Sequence, residues 1–454
     1  MKSVRIAGGL GFYGDSWRPI KASIERGNVQ YVASDHLAEL TLAILQKDRQ
    51  RDASLGYTRD FAPMLLDLLP MAMPRGVKFI LNAGGLNPMA AREVLLNALK
   101  KFGIKLKVGV VLGDSVMERL DEIQAAGVSL AHMDTGEDIA VVRERLVFAS
   151  AYLGARPLVE ALDAGADIVL TGRVADAALF LAPMMHELGW RWDDWDKLAQ
   201  GIVVGHLLEC SGQATGGNFG GDWRAMPDLA HIGYPIAEVW ENGEAVISKA
   251  PGTGGRVTFD TLREQLLYEV HDPNHYMTPD VDVNMTTLRL EEIGPDEVRV
   301  TGATGRPAPH TLKIVAGYED GVMGQAMIGY AWPDALAKAR AAAEIIQQQM
   351  REIDLKAEEV VIEYPGYNSI HGPLANSTYA NELNEVYLRI AVRCADKREA
   401  AKLGRLFPPL ALSGPPFIGG AGGMIEPRGL LGIWPTLAPR DIIEEYVRVS
   451  VEES

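Results

Sequence analysis

The sequence predicts an α/β fold: a parallel-sheet N-terminal domain with helices on both faces, followed by a C-terminal α+β domain. Apolar runs of strand length alternate with helical patterns through the first half of the chain. Polar or glycine-rich corners follow these strands, as in sheets covered by helices on both sides. The second half instead carries a hairpin signal and successive strand patterns. Because 454 residues exceed the usual size of one core, we expect two domains, at 1–230 and 231–454, with the second closing over a cleft in the first.

The elements of the first domain follow from the spacing of apolar residues. The predicted strands are short apolar runs, at 4–7, 29–33, 78–81, 106–112, 128–131 and 167–170. The predicted helices have apolar residues at helical spacing, at 35–50, 61–73, 88–101, 116–126 and 174–188. Pro88 fits the first position of its helix, and Pro157 should open another helix within a helix-rich stretch from 139 to 164.

The second domain is predicted from turn and strand signals. Asn242-Gly243, a pair that favours tight hairpin turns, lies in the middle of a hairpin pattern at 239–248. Further strands are predicted at 287–290, 297–301, 312–318, 359–364 and 385–394. Helices are predicted at 333–353 and 395–406. This mixture is typical of an α+β domain with mostly antiparallel strands.

The composition excludes several classes of protein. Sixty acidic and 44 basic residues give a net charge of -16, which repels nucleic acid and anionic membrane surfaces. Two cysteines, far apart, provide neither a disulfide framework nor a thiolate zinc site. No apolar run reaches the ~18 residues of a membrane span, and the N-terminus has no signal-type apolar core. We expect a cytoplasmic protein with no nucleic-acid or membrane partner.

Polar residues at the predicted strand ends point to a cleft. The carboxyl ends of parallel strands meet at one edge of a sheet, so Asp35, Asn82, Asp134 and Arg173 should converge there. Arg173 follows Thr171 and Gly172, and its guanidinium could clamp a substrate carboxylate or phosphate. The alternative is a structural salt bridge from Arg173 to Asp134 or to Asp176. Asp176 in turn could act in proton transfer or only pair with Arg173.

A second polar cluster lies in the helical pattern that precedes residue 210. His206 and Glu209 are three residues apart, hence on one helical face, and could serve as general acid and base. The alternative is that His206 and Glu209 are a buried pair whose side chains satisfy each other's hydrogen bonds. Cys210 could be a nucleophile, although a lone cysteine in apolar surroundings is usually inert packing. With Asp134 and Asp176, His206 and Glu209 complete our candidate catalytic set.

Several loops are candidate binding segments. The turn before Pro88 could cradle an anion or a carbonyl oxygen, or it could be a plain helix cap, and its candidate residues are Asn82, Gly84, Gly85 and Asn87. Asn218 lies in a turn after the second cluster. Lys249 could reach an anionic group, although an exposed hairpin lysine is commoner.

Gly9, Gly11 and Gly14 match the G-x-G-x-x-G pattern of dinucleotide-binding turns, and Asp35 ends the next strand. The helix after Gly14 begins late for that role, since Asp15-Ser16 resemble an N-cap and Pro19 fits only a first turn. A tight strand-to-helix corner is therefore the alternative, with Asp35 an N-cap. No spacing of the His-Glu-x-x-His type appears, so we predict no metal, although Asp134 with Asp176 or Glu209 could assemble one.

Several long motifs occur together: 165–218, 82–88 (Asn-Ala-Gly-Gly-Leu-Asn-Pro), 233–238 and 265–269. Together they resemble the acyclic terpene utilisation protein A family over residues 5–449. Founding members belong to bacterial gene clusters that degrade citronellol and geraniol through CoA thioesters. Many relatives carry, or are encoded beside, an additional small domain, so the resemblance implies a separate small partner subunit.

The resulting expectation is a catabolic enzyme that acts on a branched or unsaturated carboxylic acid, or on its CoA thioester, by hydration, dehydration or carbon–carbon lyase chemistry. It requires no cofactor and should form a homo-oligomer. Two alternatives remain. One is a nucleotide- or NAD-binding enzyme that uses Gly9 to Gly14, and the other is a non-catalytic subunit of a two-component catabolic complex.

Overall fold

A computed structural model describes residues 1–422 and 425–454. In this part the chain forms two compact units, one of residues 1–317 with 433–454 and one of residues 318–432. The strands, in chain order, are β1 (Ser3–Gly8), β2 (Tyr31–Ser34), β3 (Lys78–Leu81), β4 (Lys107–Leu112), β5 (Leu146–Ala151), β6 (Ile168–Thr171), β7 (Pro235–Trp240), β8 (Ala245–Lys249), β9 (Tyr276–Met277), β10 (Asp282–Asn284), β11 (Arg289–Gly294), β12 (Glu297–Thr301), β13 (Thr304–Arg306), β14 (Thr311–Ala331), β15 (Glu359–Glu363), β16 (Glu385–Cys394), β17 (Ile418–Gly422), β18 (Arg428–Pro439) and β19 (Arg448–Glu453).

The α-helices are joined by short loops and 3-10 turns. In chain order they are α1 (Arg18–Arg26), α2 (Glu39–Arg51), α3 (Phe61–Ala72), α4 (Pro88–Lys101), α5 (Leu120–Ala125), α6 (Arg156–Asp163), α7 (Ala178–Leu188), α8 (Trp195–Glu209), α9 (Phe259–Leu267), α10 (Ala335–Glu352), α11 (Lys397–Leu406), α12 (Leu410–Ser413) and α13 (Arg440–Glu444). The fold class is therefore mixed α/β, as predicted. None of the helices described is long and apolar enough to cross a membrane.

A large mixed sheet organises the first unit. Its strand order is β11, β12, β8, β7, β1, β2, β3, β6, β4, β19. The central strands β1, β2, β3, β6 and β4 are parallel, whereas β7 lies antiparallel to β1 and β19 lies antiparallel to β4. The central strands thus end at one common edge, which is where the sequence predicts the cleft.

Helices cover both faces of the parallel strands. Val108 and Val110 of β4 point into a core that also contains residues of α1, α3 and α4. Gly109 lies between them and therefore faces the other side, where a Cβ would come 3.1 Å from Ala161 of α6. The buried runs of the central strands follow from this double covering, since both faces exclude water.

Two predicted elements differ from the structure. Residues 128–131 form no strand, and Leu130 there has a positive φ of 52°. Residues 146–151 form β5 instead of part of a helix-rich stretch, because they pair with β14, more than 150 residues later. The predicted hairpin at 239–248 is formed by β7 and β8, but it joins the sheet of β1. The boundary predicted at residue 230 consequently does not coincide with the division into these two units.

The second unit has a core of its own. Strands β15, β16, β14 and β17 are neighbours in a second sheet, and each neighbouring pair is antiparallel. Helices α10 and α11 pack apolar residues such as Ile346 and Leu403 against Ile328 and Leu388 of that sheet. This arrangement matches the antiparallel character predicted for the strands at 359–364 and 385–394.

Candidate functional site

A cleft of about 1060 Å³ lies in the first unit, beyond the carboxyl ends of the parallel strands. Its walls come from the segments that follow β1, β2 and β6 and from the segment that follows α8. The wall residues include seven that the sequence singled out, namely Gly11, Asp35, Arg173, Asp176, Glu209, Cys210 and Asn218. Of the four strand-end residues predicted to converge, Asp35 and Arg173 line this cleft, whereas Asn82 and Asp134 do not.

Arg173 is the central cation of the inner end of the cleft. It is only 2% exposed, and its Nη1 donates to the carbonyl oxygen of Leu37 at 2.9 Å. The same Nη1 lies 2.7 Å from Oδ1 of Asp176 and 3.9 Å from Oδ1 of Asp35. The salt bridge that the sequence offered as the alternative to a substrate clamp is thus formed. The Nε of Arg173 is buried and has no hydrogen-bond partner in the described chain.

The corner before Arg173 requires a glycine. A Cβ at Gly172 would lie 2.4 Å from Oδ2 of Asp114, which also accepts the backbone N–H of Arg173 at 2.9 Å. Burial raises the pKa of Asp114 to about 6. Thr171 is completely buried at the end of β6. Thr171 and Gly172 therefore shape the corner from behind and do not line the cleft.

Tyr152 and Lys313 belong to the inner end, although the sequence did not indicate them. The ring of Tyr152 lies 4.1 Å from Cζ of Arg173, and its hydroxyl donates to Oε1 of Glu39 at 2.6 Å. Nζ of Lys313 lies 3.3 Å from the same oxygen. Burial alone would raise the pKa of Glu39, but the hydrogen bond from Tyr152 and the charge of Lys313 lower it to about 2. Glu39 is thus a permanent anion at neutral pH.

Asp35 is a buried carboxyl in the same wall. The side-chain amide of Asn82 and the N–H of Leu37 both donate to its Oδ1. Burial and the charge of Asp176 raise the pKa of Asp35 well above its usual range, although Arg173 opposes this. Asn82 itself does not line the cleft, and its Oδ1 accepts the N–H of His36 at 2.6 Å. Asn82 therefore positions Asp35. The predicted role of Asp35 as an N-cap is not formed, because α2 begins only at Glu39.

Glu209 faces the cleft and His206 stands behind it. Nδ1 of His206 lies 2.8 Å from Oε1 of Glu209, and Nε2 donates to the carbonyl oxygen of Gln265 at 2.9 Å. Because that carbonyl can only accept, Nε2 keeps its hydrogen, and a second proton must lie between Nδ1 and Glu209. Burial raises the pKa of Glu209 to about 7. Burial opposes the imidazolium of His206, but the charge of Glu209 outweighs it and raises the pKa of His206.

Cys210 also lines the cleft, yet its chemistry does not favour a nucleophile. Burial and the nearby charge of Glu209 raise the pKa of the Cys210 thiol well above its usual value. The thiolate is the reactive form, so at neutral pH this side chain is an unreactive thiol.

Two predicted site residues, Asp134 and Lys249, are placed differently from the sequence prediction, and a third, Asn218, agrees with it. Asp134 does not join the cleft: it follows a segment that is not a strand, and its side chain is 81% exposed beside His132. Lys249 is neither exposed nor in the cleft wall, since its Nζ lies 3.1 Å from Asp296 and donates to the carbonyl oxygen of Thr253. Asn218 does line the cleft, at an exposed position with a φ of 55°.

The turn before Pro88 is a helix cap. Asn87 accepts the N–H of Ala90 at 3.3 Å and donates to the carbonyl oxygen of Leu55. The N–H of Gly84 is bonded to the carbonyl oxygen of Thr171, and that of Gly85 to the carbonyl oxygen of Asn82. These donors are already used within the protein, so this loop supports α4 and does not contribute to the cleft wall.

The glycine turn after β1 differs from a dinucleotide-binding turn. Helix α1 begins at Arg18, four residues after Gly14. The N–H of Gly9 donates to the carbonyl oxygen of Ala33, that of Gly11 to Asp15, and that of Gly14 to Asp60. A phosphate would meet carboxylates here and would find these donors occupied. The geometry supports the alternative, a tight corner packed against the chain at Cys210.

The cleft is rich in carboxyls, but it provides no metal site of recognisable geometry. Among the residues described, no three His, Cys, Asp or Glu side chains are arranged to hold a metal ion. The pairing of Asp134 with Asp176 or Glu209 that the sequence left open is not formed, because Asp134 lies outside the cleft. The inner end is instead an arrangement of carboxyls around a guanidinium, suited to moving protons.

Comparison with known proteins agrees with the sequence motifs. The family model of the acyclic terpene utilisation family protein AtuA matches residues 4–449, nearly the whole chain. No curated protein and no solved structure matches the chain. The matched region contains both units and every residue of the cleft. The chain therefore belongs to the acyclic terpene utilisation (AtuA) family.

Proposed function

We propose that the protein is a catabolic enzyme that acts on a branched or unsaturated carboxylic acid, or on its CoA thioester, by adding or removing water or by cleaving a carbon–carbon bond. The family membership supports a role in the utilisation of acyclic terpenes. The chemistry of the inner end of the cleft supports proton transfer as the central step.

The state of Glu209 carries the proposal. A carboxyl with a pKa of about 7 is close to half protonated at neutral pH, which is the best condition for a group that takes and returns a proton. Its Oε1 is held by His206, while its Oε2 is buried without a hydrogen-bond partner in the described residues. Oε2 is therefore the oxygen that no described residue holds, and we assign it the contact with the substrate, with His206 as a positioning residue.

Asp35 supplies the second proton-transfer group. Burial raises its pKa well above the usual range and so favours the protonated carboxyl, and the charges of Asp176 and Glu209 add to that shift. Since both hydrogen bonds to Asp35 go to Oδ1, Oδ2 is the oxygen that can carry the proton. Two neighbouring carboxyls in different protonation states form the acid and base pair that elimination needs.

A dehydration then runs as a balanced exchange of protons. Glu209 takes a proton from the carbon next to the substrate carbonyl, and Asp35 gives its proton to the hydroxyl on the following carbon. The C–O bond breaks, a carbon–carbon double bond forms, and water leaves. Hydration is the reverse. In a cleavage of a β-hydroxyacyl substrate, Glu209 would instead take the hydroxyl proton, and the departing carbon would receive the proton of Asp35.

Purified protein tests the proposal directly. It would be incubated with branched 2-enoyl and 3-hydroxyacyl thioesters and with the corresponding free acids, and the products would be followed by mass spectrometry. Gain or loss of water identifies a hydratase, and two acyl fragments identify a lyase. Turnover should be lost in Glu209→Gln and kept in the matched variant Asp134→Asn, which changes an exposed carboxyl outside the cleft. Absence of turnover with every compound would contradict the proposal.

A further inference from the structure

The outer part of the cleft contains a different set of charges. Arg18, Ala22 and Arg26 lie four residues apart on α1, and all three line the cleft. At ~1.5 Å of rise per residue, the two arginines are ~12 Å apart along the helix. One face of α1 thus presents two guanidinium groups to the same space.

Neither arginine has an acidic partner within ion-pair distance among the residues described. Two carboxylates of the cleft wall, those of Asp15 and Asp228, are occupied by other donors. The oxygens of Asp15 accept the N–H groups of Gly11 and Ser16 and the hydroxyl of Tyr234. Asp228 is paired with His231 at 2.9 Å. Arg18 and Arg26 are therefore exposed cations without an assigned partner, whereas Arg173 and Lys313 in the same cleft are paired with carboxylates.

The inner end cannot bind the anionic part of a substrate. Arg173 is committed to the carbonyl oxygen of Leu37 and to Asp176, and three further carboxyls, those of Asp35, Glu39 and Glu209, line the same cleft. An anion placed there would meet repulsion from Asp176 and Glu39. The cleft volume of about 1060 Å³ also reaches the upper end of the range for small-molecule sites, ~300–1,000 Å³, so it has room for more than a short acid.

We propose that Arg18 and Arg26 form an anion subsite that binds a phosphate or dicarboxylate group at the far end of the substrate. A guanidinium binds either group with two parallel hydrogen bonds. The acyl carbonyl at the reacting end must then be electrically neutral, as in an ester or thioester, because that end is already rich in carboxylates. The subsite orients the substrate for the proposed proton transfer, and to that extent it rests on the proposed function.

Isothermal titration of the full chain tests the subsite, with pyrophosphate as the phosphate probe and citrate as the carboxylate probe. Wild-type protein should bind one of them, and Arg18→Gln and Arg26→Gln should each weaken binding about tenfold, with about a hundredfold loss in the double variant. The preferred probe identifies the ligand chemistry. The matched control is Arg51→Gln with Arg75→Gln, which removes two exposed arginines that do not line the cleft.

Binding that is unchanged in the double variant, or lost equally in the control, would overturn the subsite, as would failure of both probes to bind. Glu209→Gln separates this inference from the proposed function, because it should abolish turnover and leave probe binding intact. If binding depends on the two arginines but no substrate is converted, the subsite stands and the proposed reaction fails. If turnover occurs and the double variant binds and reacts normally, the reaction stands and the subsite fails.

Discussion

Glu209 should make the stability of the protein depend on pH in a defined direction. Burial raises its pKa from 4.5 to about 7, because the carboxylate is disfavoured in the folded chain. A group whose pKa is higher in the folded state contributes stability below its unfolded pKa and loses that contribution as the pH rises through the folded pKa. At about 1.4 kcal/mol per pKa unit, the shift of about 2.5 units corresponds to about 3 kcal/mol. The raised pKa of His206 acts in the same direction.

Glu209→Gln isolates this effect from the other buried carboxyls. Glutamine keeps the size of the side chain and can still bond to His206, but it does not ionise. The free energy of unfolding of the variant minus that of the wild type should therefore increase by about 3 kcal/mol between about pH 4.5 and about pH 8. Urea unfolding followed by circular dichroism at a series of pH values measures this difference. The matched variant Asp134→Asn, whose carboxyl is exposed, should give a nearly constant difference over the same range.

Two outcomes would refute the reasoning about Glu209. A difference that stays flat with pH would mean that Glu209 is already ionised at its ordinary pKa, so the proposed base would not be tuned to neutral pH. A difference that grows in favour of the wild type as the pH rises would mean that His206 stabilises the carboxylate more than burial opposes it. Either result would remove the observation on which the proposed reaction depends.

Three further changes follow from the geometry. Glu209→Gln should lower kcat by about 10²–10⁴-fold and abolish the rise of kcat/KM with pH near 7, measured with the substrate found by product screening. Gly172→Ala should lower the free energy of unfolding by about 1–3 kcal/mol, because its Cβ would lie 2.4 Å from Asp114, whereas Gly429→Ala, whose Cβ meets nothing within 4 Å, should be near neutral. Tyr152→Phe should lower the free energy of unfolding by about 1 kcal/mol, because it removes the hydroxyl that stabilises the Glu39 carboxylate while the ring beside Arg173 remains. For the same reason it should raise the pKa of Glu39, which NMR titration measures.

Local signals predicted the parallel core of the fold. Strand β3 and helix α4 occupy the predicted residues 78–81 and 88–101, because a short apolar run, a capping Asn87 and Pro88 at the first helical position all act within a few residues. Strand β5 was missed because its pairing partner β14 lies more than 150 residues away. No local pattern distinguishes its alanines and serine from the helices around them.

The difference between local sequence signals and pairing of distant strands also separates the site residues that were predicted from those that were not. Arg173 follows the end of β6 and Glu209 is the last residue of α8, so local patterns in the sequence already marked both positions. Tyr152 and Lys313 reach the cleft only through the pairing of β5 with β14, where the N–H of Tyr152 bonds to the carbonyl oxygen of Lys313. Asp134 was expected in the cleft because residues 128–131 resemble a strand, and the positive φ of Leu130 shows why they do not continue the alternation.

The predicted loss of stability with rising pH and the proposed proton transfer have one physical origin. Arg173 carries a single positive charge beside Asp35, Asp176 and Glu209, so ionisation of all three would leave an excess of negative charge in a buried place. The raised pKa values of Asp35 and Glu209 favour their protonated forms, which lowers the stability of the folded protein as the pH rises. Those retained protons are the ones an elimination requires. Glu209→Gln should consequently gain stability relative to the wild type as the pH rises through 7 and should be inactive, the combination expected when a strained group is kept for function.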